Sequence, residues 1–261
     1  MSKSAAVIAG VGLADGLRRS RWPARMDFAQ SGTGLVLGLF MWGHMFFVST
    51  ILLGKDAMWS ITRFFEGYFF FGTAYPWVVS VIVAVISLFF VAHAFLAMRK
   101  FPANFQQLRT FAGHRALLKH GDTTMWWLQF LTGFALFFLA PPHLYQMLVE
   151  PEGIGPHLSA FRIHGGGWAP LYLVLLIAVG LHGGIGLYRL VVKWGWIEGA
   201  DAGRTRRILV RVAWGLIAAY FTLGLITDST YIRIGKELGG RPAEEYHPAW
   251  AKPAAHGEGR P

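Results

Sequence analysis

The chain has 261 residues, 54% of them hydrophobic and only 15% charged, with a mean hydropathy of +0.42 and a net charge of +10. Soluble domains carry about 25% charged residues, so this composition excludes an ordinary soluble domain, and the basic excess flanks apolar blocks, which points to membrane orientation and away from nucleic acid. There is no cysteine; disulfides, iron–sulfur ligation and c-type haem attachment within the chain are excluded, and any redox centre must draw on other ligands, histidine first.

Residues 5–14 are mildly apolar but short, contain Gly and precede arginines, the wrong order for a cleavable signal. Segment 1–30 reads as a cytoplasmic arm or interfacial helix. Five blocks then reach the ~20 apolar residues needed to cross a bilayer. Span I runs from Ser31 to Leu53, span II from Trp77 to Met98 and span III from Met125 to Val149. Span IV runs from Ala169 to Val192 and span V from Ile208 to Ile232. The I–II loop, 54–76, holds Arg63, Glu66 and the aromatic run 68–71, and should include a short helix against the outer surface. The II–III loop, 99–124, is polar. The III–IV loop, 150–168, ends in three glycines. Pro141 and Pro142 stand just before His143 and predict a kink in span III. The expectation is an all-α, five-helix membrane bundle over 31–235, with 236–261 a polar tail of poor order.

Charge orients the bundle. Arg18, Arg19, Arg21, Arg25, Arg99, Lys100, Arg109, Arg115, Lys119, Lys193, Arg204, Arg206 and Arg207 fall on one side. The opposite loops hold only Lys55, Arg63 and Arg162. The positive-inside rule then puts the N-terminus in the cytoplasm.

Four of the ten histidines lie inside spans: His44, His93, His143 and His182. An ionisable side chain at membrane depth is costly and faces the bundle interior. One such histidine reads as a hydrogen bond to a neighbouring helix; four in four separate spans do not. Counting about 1.5 Å per residue, His44 lies about 20 Å and His143 about 27 Å in from the cytoplasm, while His93 lies about 24 Å and His182 about 20 Å in from the outside. Thus His44 and His143 share the outer half and His93 and His182 the inner half. Two pairs at two depths match bis-histidine ligation of two haems. Gly43, Gly183 and Gly184, beside the ligands, would let a flat macrocycle approach the backbone. The competing reading is a metal site or proton relay. A metal site would want its ligands at one depth with carboxylates or Cys, and Asp228, near the outer end of span V, is the exception in spans that hold almost no acid.

These residues resemble the dihaem cytochrome b subunit of respiratory complex II, most closely the anchor of bacterial quinol:fumarate reductases of the five-helix, two-haem type. The resemblance covers roughly 20–235. It rests on the five-span layout, the four histidines in order, Gln30-Ser31 before span I, Trp126 at the start of span III and Lys193 at the end of span IV. It implies that His93 and His182 bind the proximal haem and His44 and His143 the distal one. It also implies that Gln30, Ser31, Trp126 and Lys193 contact proximal propionates and that Glu66 accepts protons at a quinol site. Relatives thought to return protons across the membrane carry a glutamate two residues before the fourth ligand; here that position is Gly180, which puts such a route in doubt.

The resemblance implies an electron-transfer anchor in the bacterial inner membrane. Its cofactors would be two haem b, its substrate menaquinone or menaquinol, and its partners an FAD flavoprotein subunit and an iron–sulfur subunit. Trp22, Arg99, Lys100, His114 and His120 would form the docking surface. A dimer of heterotrimers among membrane lipids is the assembly this allows. Fumarate reduction and succinate oxidation share these parts. The b subunits of formate dehydrogenases or hydrogenases place their histidines differently, and a non-redox transporter with structural histidines is the remaining competitor.

Overall fold

The structure is a computed structural model that describes residues 20–118, 121–239 and 244–251. Arg18, Arg19, Lys119 and His120 therefore lie outside the described residues, as does most of segment 1–30 and of the tail. Five helices are long and apolar enough to cross a membrane. They are α1 (Trp22–Val48), extended by a 3₁₀ turn (Ser49–Leu53), and, after α2 (Lys55–Phe65) and the single turn α3 (Tyr68–Phe71), α4 (Pro76–Met98). Next come α5 (Phe105–Leu118), α6 (Gly121–Val149), a 3₁₀ turn (Pro151–Gly153), α7 (Pro156–His164), α8 (Ala169–Trp194) and α9 (Ala202–Glu237).

Local sequence explains the boundaries. α1, α4, α7 and α8 each carry proline in the first turn, where a fixed φ and a missing N–H cost nothing. α8 stops at Gly195, whose φ of 61° is a left-handed cap that residues with a Cβ adopt rarely. α9 starts at Asp201, whose carboxylate accepts the Arg204 N–H at 2.9 Å. Pro141 and Pro142 sit within an unbroken α6 and leave the Phe137 and Phe138 carbonyls without their helical donors.

Three expectations change. Residues 22–30 are the first turns of α1, continuous with span I, and not a separate arm; Pro23 at its second position starts the helix where the sequence reads as interfacial. The loops 99–124 and 150–168 each contain a helix, α5 and α7. Part of the tail is held in place. Tyr246 donates to the Asp56 carboxylate at 2.5 Å and the Trp250 indole to its other oxygen at 3.1 Å. Trp250 also packs edge-on against Trp59, and Glu245 pairs with Arg63. Aromatic side chains at 246 and 250 give this polar stretch an anchor.

Packing sets the site. α1 contacts α4, α4 contacts α6, α6 contacts α8 and α8 contacts α1, so these four close a ring. α1 and α6 face each other across one diagonal, α4 and α8 across the other. α9 lies outside the ring against α8, α7 and the end of α1. It is fastened there by a buried Ser49–Thr227 hydroxyl bond of 2.9 Å and by Tyr231 donating to the Val48 carbonyl at 3.2 Å. At 36 residues it is about 54 Å long, well beyond a ~30 Å hydrocarbon core. Outward faces such as Val81, Val85, Leu88, Val91 and Phe95 of α4 are apolar and exposed, as a lipid-facing surface requires.

Removing the shared acceptor should release the tail. Asp56→Ala is expected to cost the 244–251 segment about 1 kcal/mol of docking, roughly a fivefold increase in its open population; limited proteolysis of the C-terminus in detergent would read this as faster clipping without loss of the bundle.

Candidate functional site

The four span histidines pair across the two diagonals. His44 on α1 and His143 on α6 have ring centroids 6.1 Å apart, and His93 on α4 and His182 on α8 are 6.3 Å apart. A metal–imidazole bond is about 2.0–2.1 Å and a ring nitrogen lies about 1.1 Å from its ring centre. Two imidazoles trans on one ion therefore have centroids about 6.3 Å apart. Both pairs stand at that separation. No group of three or more His, Asp or Glu among the described residues gathers as a metal cluster, so each pair stands as a two-ligand unit.

Hydrogen bonds set the free nitrogen of the lower pair. His182 Nδ1 lies 2.9 Å from the Gln129 carbonyl, and His93 Nδ1 lies 3.2 Å from the Gln30 carbonyl and 3.2 Å from Thr33 Oγ1. A carbonyl can only accept, so each Nδ1 carries the proton and Nε2 keeps its lone pair for a metal. In the upper pair, His143 Nδ1 is buried without a partner; its ring lies edge-on to Tyr172 at 5.3 Å, and His44 stacks on Phe40 at 5.7 Å.

All four imidazoles line one cavity of about 1270 Å³ that runs along the ring's interior. Drug-sized ligands occupy roughly 300–1,000 Å³, so the space exceeds one such site. Its middle is apolar, with Leu136, Phe137, Leu176 and Val179, and its ends are polar. A bulky, flat, apolar ligand with acidic groups at its rim, ligated through two nitrogens, suits this shape and donor set at each level.

Two glycines that sequence reading missed make the lower pair possible. A Cβ at Gly34 would meet His93 Cε1 at 2.9 Å, and one at Gly133 would meet His182 Cε1 at 2.7 Å. Each imidazole thus lies against the bare backbone of the adjacent helix. The signal was present in the spacing, since Gly34 precedes His44 and Gly133 precedes His143 by the same ten residues, about 15 Å of helix. Of the glycines expected to fit a macrocycle, Gly43 and Gly183 line the cavity and Gly184 does not. Gly183 faces Met41, Gly184 faces Ile217 of α9, and Gly43 has only Phe47 of its own helix nearby. Gly183 and Gly184 are contact points between helices, where small residues let backbones close.

At the end where α1 begins, Gln30, Ser31, Trp126 and Lys193 all line the cavity. Lys193 Nζ donates to Ser31 Oγ at 3.3 Å, and the Gln30 Oε1 is buried without a partner. Asp27 draws three cations together: Lys100 at 2.9 Å, Lys193 at 3.3 Å and Arg99 at 3.5 Å. One carboxylate among three cations leaves positive charge for an acidic group entering from the cavity. Trp22 and His114 are exposed at this end. Sequence reading used Arg162 only for orientation. It is buried on α7, lines the opposite end of the cavity and donates to the Gly153 carbonyl.

Glu66 is not a solvated loop residue. It caps α2, is 3% exposed, and its carboxylate lies 2.9 Å from the Arg63 guanidinium. Burial pushes its carboxyl above the usual carboxylate range, and Arg63 pulls partly back. Thr62 and Phe65 beside it line the cavity; Glu66 does not. Gly180 packs on α9. A Cβ there would run into the Phe221 ring and reach Tyr220 Cδ1 at 2.9 Å, so the position has no space for a carboxylate.

Residues 106–224 match the family model for the succinate dehydrogenase/fumarate reductase transmembrane subunit. The chain is 53% identical over 220 residues to the fumarate reductase cytochrome b subunit of Wolinella succinogenes, across 84% of this chain and 86% of that protein. It is 50% and 49% identical over 226 residues to the proteins of the same name from two Helicobacter pylori strains, across 87% of this chain and 87% of each.

Filling either glycine should disturb one imidazole. Gly133→Ala is expected to push His182 off its position and lower bound b-type haem absorbance by up to half, whereas Gly32→Ala, which meets nothing within 4 Å, should keep the full amplitude in the same purified complex.

Proposed function

Because the chain belongs to the family of succinate dehydrogenase/fumarate reductase transmembrane subunits, we propose that its two imidazole pairs hold two b haems and connect a menaquinol site to partner subunits. The chain is the membrane anchor and electron-transfer subunit of a quinol:fumarate reductase. The observation that carries the haem reading is the pairing of histidines across both diagonals at 6.1 and 6.3 Å.

When bound, each haem supplies a one-electron iron couple. The residues of this chain do the rest. His93 and His182, whose Nδ1 atoms the Gln30 and Gln129 carbonyls engage, would hold the proximal group. His44 and His143 ligate the distal group about 15 Å further along α1 and α6. Gln30, Ser31, Trp126 and Lys193 would hold the proximal propionates. The apolar lining between the levels keeps water out of the electron path.

The cation-rich end faces the cytoplasm of a bacterial cell whose inner membrane holds the bundle, by the positive-inside bias. An FAD flavoprotein and an iron–sulfur subunit dock there on Trp22, Arg99, Lys100 and His114. The dicarboxylate reaction belongs to the flavoprotein. Quinol is oxidised at the opposite end, and Glu66 takes its protons. A buried carboxyl with a raised pKa binds a proton more readily than an exposed one and can return it to water.

A reduced-minus-oxidised spectrum of the purified complex, with subunits identified, tests this reading: two b haems and both partners are expected, and a preparation without haem absorbance would overturn it. His44→Ala should remove one haem and leave the other; retention of both would show that the pairing is wrong. Glu66 accepts protons only when ionised, so quinol:fumarate turnover should rise with pH through its raised pKa. In Glu66→Gln that turnover should fall at least tenfold while reduction of fumarate by an artificial donor to the partner subunits is unchanged.

A further inference from the structure

Asp228 is an acid in the bundle that nothing above uses. It sits on α9, lines the cavity, and makes no hydrogen bond or ion pair with another described residue. Its place is fixed by the preceding residue, since Thr227 is bonded to Ser49 just past the end of α1. Ser49 is five residues beyond His44, so Asp228 lies roughly 7 Å further along the bundle than the upper imidazole pair. A carboxyl at membrane depth with no partner is expensive to keep for structure alone. The neighbouring hydroxyls do otherwise: Ser229 and Thr230 return theirs to the Leu225 and Ile226 carbonyls.

Its surroundings are polar in a specific way. The phenols of Tyr220 and Tyr231 on α9 and of Tyr172 on α8 lie within its field. Arg162 of α7 lines the same end, and its guanidinium donates to the Gly153 carbonyl, to Met147 Sδ and to the Tyr172 hydroxyl. The segment of α1 packed here, Ser49–Leu53, carries no titratable side chain. Tyr172 stands between the two sites, edge-on to the His143 ring.

We propose that Asp228 is a redox-linked proton-binding site for the His44–His143 centre. Resting on the haem reading above, the exchange is one proton for one electron. An electron held between His44 and His143 adds one negative charge in a low-dielectric interior. The Asp228 carboxylate binds one proton to become the neutral acid, which cancels that charge. When the electron leaves, the acid releases the proton. The electrons come from quinol oxidation, which yields two electrons and two protons, and Ser159, Arg162 and Thr227 give this end of the cavity a polar approach. The packed Gly180 position offers no acid for the purpose.

Redox titration of both haems in the intact complex at several pH values is the test, following the haem that His44→Ala removes. Its midpoint potential should fall as pH rises. In Asp228→Asn the slope should be lost while both haems remain bound and the other haem keeps its behaviour. Infrared redox difference spectra should contain a protonated-carboxyl band that shifts in deuterated water, is absent in Asp228→Asn and moves in frequency in Asp228→Glu. A pH-independent potential in the wild-type protein, or an unchanged slope and band in Asp228→Asn, would overturn the proposal. Wild-type complex without haem absorbance would instead remove the reading it rests on.

Discussion

The width of the bundle is set where two pairs of imidazoles meet across its diagonals. α1 and α6 cannot approach each other more closely than the His44–His143 separation allows, and α4 and α8 are held apart in the same way by His93 and His182. Four helices packed to fill the centre would collapse along one diagonal, as helices of simple bundles do at 8–10 Å. Here both diagonals stay open, and the space between them is the cavity. The ring contacts, the small residues and the polar ends serve that opening.

Much of this was legible from residues. Five apolar blocks gave the spans, and the depth of each histidine gave the partners before any contact was known, because helix rise converts sequence position into height. What the spacing could not give is which backbone each imidazole rests on. That depends on neighbours in the ring, which no single span encodes, so Gly34 and Gly133 went unnoticed. The tail was misjudged for a related reason. Its composition is polar, yet Tyr246 and Trp250 find a shared acceptor in Asp56, nearly two hundred residues earlier. The burial of Glu66 could not be read from its loop position, because it comes from capping α2, a helix of only eleven residues.

The two ends of the cavity solve one electrostatic problem differently. Near the start of α1, Asp27 is surrounded by Arg99, Lys100 and Lys193, all partly exposed, and the surplus charge is screened by water. At the far end Arg162 and Asp228 are set in a drier interior, where an unscreened charge acts over a longer reach. An acidic group can therefore be met by partly exposed lysines at one level, but at the other the protein must respond to charge with groups already in place.

The seam between α8 and α9 carries its own consequence. Gly180 and Gly184, one turn apart, lie under Phe221, Tyr220 and Ile217, and Gly224 receives Leu176 in return. The two helices interlock like a zip in which glycines of each seat bulky side chains of the other. An acid at 180 would need the rings at 220 and 221 to shift or shrink. The side chains at 180, 220 and 221 are thus coupled through this seam, so what one of them can be depends on the other two.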